Sequence, residues 1–204
     1  MDSSIKRICV YGAGSSTLDR DFFDAAYELG ALAAKRGIGV VFGGGNSGIM
    51  GYLAKGTADN GGELIGVAPE FMKPRNVLYS RCSELIYTAD MRERKRVMEE
   101  MSDAFVVMPG GFGTMEEFFE VLTAKTLGLH MKPIALVNTR GVWDELEVFS
   151  KRLLSEGFIS ESCIGSYRIC PDPAGALDFV MNDPDKDKEP KWVKYVVREE
   201  DIQK

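Results

Sequence analysis

Histidine is nearly absent from this chain: His130 is the only one in 204 residues. That scarcity excludes a metal site built from clustered histidines, and any Ser-His-Asp or Cys-His arrangement would have to use this one side chain. His130 stands in G-L-H-M-K-P, at the expected end of a helix, where a histidine commonly caps or lies at the surface. The four cysteines, Cys9, Cys82, Cys163 and Cys170, form no C-x-x-C pair, so they read as reduced structural thiols rather than a disulfide frame or a zinc site. Apolar runs long enough to span a bilayer are missing, and the first residues, M-D-S-S-I-K, lack the apolar core of a signal peptide; the expected location is the cytoplasm. A basic excess is missing too. The net charge of -6 argues against a general nucleic-acid or anionic-membrane binder, which leaves room only for local basic sites.

What is present is a 45% hydrophobic composition, enough for one α/β domain with a sizeable core. Strand-like runs alternate with helix-period stretches along most of the chain. Expected strands are 5–11, 39–42, 64–68, 85–88, 104–108, 134–138 and 167–170. Expected helices are 19–36, 49–59, 90–101, 114–127, 142–155 and 173–181, and 69–83, with two prolines and no clean period, reads as a long loop over the site. This alternation predicts a Rossmann-like, doubly wound, mostly parallel sheet with helices on both faces, whose ligands bind beyond the carboxyl ends of the strands. The single domain is expected over 1–182. From 183 to 204 the sequence D-P-D-K-D-K-E-P and its continuation read as a charged tail.

The centre of the pattern is M-P-G-G-F-G-T-M-E-E, Met108 to Glu117. An apolar strand runs into Gly110, Gly111 and Gly113, and Thr114 is expected to open a helix. Glycines let backbone N–H groups approach an oxyanion, and a helix start adds unpaired donors and a positive dipole end, so phosphate is the natural guest. Glu117 has two readings at this stage. Thr114-x-x-Glu117 is a capping box, which explains the spacing without any chemistry. Alternatively, its carboxylate faces whatever sits in the glycine loop.

Two more stretches bear on the site. Met91-Arg92-Glu93-Arg94-Lys95-Arg96 puts cations at a helix start, against the macrodipole, which points to a compensating anion. Lys95/Glu99 and Arg96/Glu100 can pair at i,i+4 on a solvated face, whereas Arg92 and Arg94 lack such partners and one or both should face the ligand edge. Gly43-x-Gly45-x-x-Gly48 satisfies a dinucleotide fingerprint after the second strand, and Gly12 and Gly14 follow the first; tight turns account for some of these glycines whatever the ligand. A nicotinamide-dependent oxidoreductase and a non-catalytic nucleotide-binding module therefore remain as alternatives.

Together, M-R-E-R-K and P-G-G-F-G-T-M-E-E resemble the lonely-guy family, phosphoribohydrolases that activate cytokinins and that often carry a lysine decarboxylase label. The similarity extends through G-G-G-N-S-G-I-M-G and I-A-L-V-N, over about 5–159. The resemblance implies hydrolysis of the N-glycosidic bond of N6-substituted or plain adenosine 5'-monophosphate, with Arg94 and Glu117 catalytic and neither cofactor nor metal. It also implies a homodimer, and the helix 114–127 agrees in carrying Phe118, Phe119, Val121 and Leu122, more apolar residues than one core face needs. The candidate substrate-binding set is Gly12, Gly14, Ser15, Gly44, Gly45, Asn76, Lys95, Gly110, Gly111, Phe112, Gly113, Thr114, Met115, Glu116 and Thr123. Two departures touch this set: Arg92 stands where many plant members have histidine, and Asn76 follows Pro74-Arg75 where they have glutamate. A pyridoxal decarboxylase finds no support, because it needs a Schiff-base lysine, a partner for the pyridinium nitrogen, and room that this length does not give.

Overall fold

In the computed structural model, residues 5–184 are described, so all but the first two positions of the 183–204 tail lie outside the described residues. Strands β1 (Arg7–Tyr11), β2 (Gly39–Phe42), β3 (Leu64–Pro69), β4 (Glu84–Thr88), β5 (Ala104–Val107), β6 (Ile134–Val137) and β7 (Arg168–Cys170) form a single sheet. Its order is β4-β3-β2-β1-β5-β6-β7, and every pair is parallel. The helices are α1 (Arg20–Lys35), α2 (Gly48–Asp59), α3 (Met91–Glu100), α4 (Phe112–Thr126), α5 (Asp144–Ser155), α6 (Glu161–Ile164) and α7 (Pro173–Asn182). This is the Rossmann-like architecture expected from the alternation.

Burial explains the layers. β2 and β5 are buried at every residue, as strands covered on both faces must be, and their sequences G-V-V-F and A-F-V-V contain no polar side chain. On one face Ile8, Val10, Val40 and Val106 pack with Ala26 and Leu29 of α1, Leu53 of α2 and Leu177 of α7. On the other face Cys9, Tyr11, Val41 and Phe105 pack with Met98 of α3, Phe118 and Val121 of α4, and Trp143 just before α5. Strand order reverses direction between β1 and β5, and such a switch point opens a crevice at the carboxyl edge. The glycine turns after β1, β2 and β5 all lie at that edge, because the three strands are parallel in one sheet.

Four local readings need correction. The segment expected as a plain loop contains a 3-10 turn over Glu70–Arg75, and residues beyond it pair with the glycine turn after β2 through a Gly45–Leu78 bridge. Helix α5 starts at Asp144, after a separate turn at Thr139–Gly141, because Arg140 sits at a φ of 57° and interrupts the helical path. The short helix α6 was not anticipated; at four residues it is too brief to show a period. Finally, α4 starts at Phe112 with Gly111 as its N-cap, two positions ahead of Thr114. No helix among the described residues is long and apolar enough to cross a membrane.

Candidate functional site

The loops at the switch point are knitted by their own backbones. Met108 N–H donates to the Tyr11 carbonyl at 2.8 Å and Ala13 N–H to the Pro109 carbonyl at 3.2 Å, joining the turns after β1 and β5. The Ser47 hydroxyl donates to the Gly14 carbonyl at 2.9 Å, joining the turns after β1 and β2. Gly48 completes that junction: at a φ of 60° its backbone lies so close to Gly14 and Ser15 that a Cβ would strike their backbone atoms. The fingerprint glycines thus serve turn and packing here, and their unit sits at β2, beside the switch point rather than on it.

The earlier start of α4 removes the capping reading of Glu117. With Gly111 as the N-cap and no side-chain cap bond, Thr114 lies inside the first turn, so the expected Thr114–Glu117 capping box does not form. Thr114 is instead buried against Gly110, where a Cβ would collide with the threonine side chain. Around Gly111 and Gly113 the space that a Cβ would occupy is open to beyond 4 Å. The first N–H groups of α4 therefore face an accessible edge with no cap, which is the arrangement that accepts an anion. Phe112 between these glycines is 90% exposed.

Released from capping, the Glu117 carboxylate meets Arg94. Arg94 Nη1 donates to Glu117 Oε1 at 3.0 Å, its Nε donates to the Val67 carbonyl of β3 at 3.1 Å, and its Nη2 lies against Gly43. Both side chains are largely buried, at 9% and 13% exposure. A guanidinium can be buried there because a carboxylate and a strand carbonyl receive its donors. Burial pushes the Glu117 carboxyl up from its ordinary value, and the Arg94 guanidinium opposes that rise.

Lys95, the next residue, does not pair with Glu99 as its spacing allows. Its ammonium reaches across to α4 and contacts Glu116 at 2.5 Å and Glu120 at 2.6 Å, while Arg96 forms the expected i,i+4 pair with Glu100 at 3.0 Å. Arg92 is exposed in the first turn of α3, at the carboxyl edge. Asn76 sits at a left-handed φ of 54° and its carbonyl accepts from the Asn46 side-chain amide, which places it beside the turn after β2. Gly44 and Gly45 are buried beneath that segment: Asn46 N–H donates to the Val77 carbonyl and Tyr79 N–H to the Gly44 carbonyl.

Gly12, Gly14, Ser15, Gly110, Gly111, Phe112, Gly113, Thr114 and Met115 are thus gathered at the switch point with Arg94 and Glu117. Thr123 is not brought to them. It is exposed on α4, about 16 Å along the axis from Phe112 at the helical rise per residue. His130 lies beyond the far end of α4, at the opposite edge of the sheet. Its Nε2 pairs with the Val121 carbonyl, its Nδ1 accepts from Lys132 N–H, and burial lowers it to about 4, so it is neutral and remote from the loops. Gly43, the Val67 carbonyl and Glu120 were not in the sequence-derived set. Of these only Gly43 left a trace, as the first of three consecutive glycines after a strand.

Comparison with known proteins gives a consistent picture. A family described as possible lysine decarboxylase matches residues 50–180. Cytokinin riboside 5'-monophosphate phosphoribohydrolase LOG1 of Arabidopsis thaliana is 41% identical over 160 residues, covering 78% of this chain and 75% of that protein. The rice enzyme of the same name, LOG of Oryza sativa subsp. japonica, is 42% identical over 159 residues, covering 78% and 66% of the two chains. Among solved structures, a molybdenum cofactor carrier protein from Chlamydomonas reinhardtii superposes with a TM-score of 0.66 at 28% identity, over 85% of this chain and 94% of that one.

Proposed function

The chain belongs to the family of the cytokinin riboside 5'-monophosphate phosphoribohydrolases, and from that premise we propose that it hydrolyses the N-glycosidic bond of adenosine 5'-monophosphate and its N6-substituted forms, releasing the free base and ribose 5-phosphate. The observation that carries this reading is the buried Arg94–Glu117 pair beside an uncapped glycine loop at the switch point. Cleavage of an N-glycosidic bond builds positive charge on the sugar as the base departs. In its ionised form the carboxylate held by the guanidinium stabilises that charge and orients the water that attacks the anomeric carbon. The 5'-phosphate is received by the open N–H groups around Gly111 and Gly113 with Thr114, and the turn at Gly12, Gly14 and Ser15 closes the other side of the crevice. Phe112, Met115 and Asn76 flank the base.

This chemistry needs no electron sink, and Lys95, next in sequence to Arg94, is clamped between two carboxylates rather than free to form a Schiff base. The four free thiols fit a reducing, cytoplasmic setting. The protein acts as a homodimer through the outer side of α4 and α5, where Phe119, Val148 and Phe149 are exposed at 42%, 63% and 55%. Thr123 stands exposed on α4, one turn beyond Phe119, and meets substrate from the second copy.

The test is to incubate the protein with AMP, N6-isopentenyl-AMP and adenosine and to follow free base by chromatography. Both monophosphates should be cleaved, and adenosine should be a poor substrate. Equal efficiency on AMP and adenosine would show that the loop does not bind phosphate, and absence of base from all three would remove the hydrolase reading.

A further inference from the structure

Lys95 carries a charge that the proposed chemistry does not use, in a place where an unused charge is costly. Its side chain is only 12% exposed, between helices α3 and α4. Both carboxylates that hold it come from α4, one turn apart, at 2.5 Å and 2.6 Å. Burial disfavours its charge, yet the hydrogen bonds it donates to Glu116 and Glu120 outweigh that and hold it protonated. A cation so occupied is poorly placed to take a phosphate.

The sequence neighbours give this contact its meaning. Lys95 follows Arg94 on α3, and Glu116 precedes Glu117 on α4. The two helices are therefore crossed by two adjacent ion pairs, an inner one between Arg94 and Glu117 and an outer one between Lys95 and the Glu116/Glu120 pair. The outer contact resists sliding in either direction along α4, because its two carboxylates lie on either side of the ammonium along the helix axis. The inner pair also joins α3 to α4, but through a single carboxylate, so it does not bracket its cation along the helix axis. Val67 fixes the guanidinium to the sheet, and the Glu117 carboxylate accepts one bond from that guanidinium but is otherwise placed by the position of α4.

We propose that Lys95, with Glu116 and Glu120, is a positioning strut that locks α4 against α3 so that the Glu117 carboxylate is held at its working distance from the reacting sugar. This rests on the hydrolase reading above and revises one part of it: Lys95 and Glu116, expected to bind substrate, act through Glu117 instead. A carboxylate displaced by a fraction of an ångström still permits binding, since the phosphate is taken by the loop N–H groups, but it stabilises the transition state less.

The test is steady-state kinetics on AMP with wild type, Lys95→Met, Lys95→Arg and Glu116→Gln/Glu120→Gln, each checked for folding by circular dichroism. Lys95→Met should lower kcat at least tenfold with KM changed less than twofold. Lys95→Arg should recover most of that loss, and the double glutamine variant, which leaves Lys95 in place, should reproduce it. The acid limb of the kcat profile should also move to higher pH in Lys95→Met, because a looser Arg94 contact opposes protonation of Glu117 less. A KM raised fivefold or more with kcat unchanged would make Lys95 a substrate ligand and overturn the strut, as would a double glutamine variant with wild-type kcat. Should Lys95→Met fail to fold, the double glutamine variant decides alone. If wild type itself releases no base, it is the hydrolase reading that has failed.

Discussion

Replacing Glu117 by glutamine changes little but charge. The amide oxygen can still accept from Arg94 Nη1, and the side chain keeps its shape in a pocket that leaves Glu117 13% exposed. A carboxylate about 4 Å from a full positive charge, at an effective dielectric of about 20, contributes about 4 kcal/mol. The transition state carries only part of a charge and Arg94 already neutralises part of the carboxylate, so about 2–3 kcal/mol is a reasonable share. At about 1.4 kcal/mol per decade that is close to a hundredfold in kcat, the scale seen when one preorganised electrostatic group is removed. Stability should not fall, because the net upward shift of the Glu117 carboxyl means that its buried charge opposes folding even beside Arg94, and the neutral amide removes that opposition. The assay is base release from AMP well below the melting transition, paired with a thermal melt. The acid limb of the wild-type profile should lie above the ordinary glutamate value, since burial raises the Glu117 carboxyl, and protonation below that point should remove activity. Glu117→Gln with wild-type turnover would refute the electrostatic role, and a pH profile whose acid limb survives the substitution would assign that limb to another group.

Gly43→Ala should act on Arg94 without touching it: the new methyl would occupy the space of the guanidinium Nη2, so the side chain must swing away from Val67 and Glu117, and activity should fall towards that of Arg94→Ala. Gly111→Ala is the contrast, with open space around the added carbon and no expected change in Tm; an equal thermal loss in both variants would mean that Gly43 matters only as backbone. Glu99 is pushed up to about 6 by burial and by Glu120, so its ionisation opposes folding and stability should decline as pH rises from about 4.5 through 6. Thermal melts of Glu99→Gln should lack that decline, and an unchanged slope would place the titration elsewhere. Light scattering at micromolar concentration should read two chains, and a monomer would sink the homodimer.

The parallel sheet was legible because its central strands are short apolar runs closed by glycines, and because amphipathic periods separate them. Burial on both faces demands such runs, and only a helical crossover can return a chain to pair in parallel. Arg140 was not legible, since a positive φ at an arginine has no compositional mark. Nor was the pairing of residues 76–79 with the turn after β2, because the partners of that segment lie thirty or so positions earlier and follow no local rule.

The site shows the same division at the scale of single side chains. Local rules offered Glu117 a cap and Lys95 a partner one turn along its own helix, and the fold uses neither. In each case a small backbone fact decides. Gly111 and Gly113 let α4 begin two positions early, which turns Thr114 onto Gly110 and frees the glutamate. Gly43 lets the Arg94 guanidinium lie against the end of β2, and the next residue on α3, Lys95, reaches Glu116 and Glu120 of α4. A glycine whose missing side chain is occupied by a distant residue's charge is therefore as much a part of this site as the charge itself, and the Gly43→Ala variant measures that dependence directly.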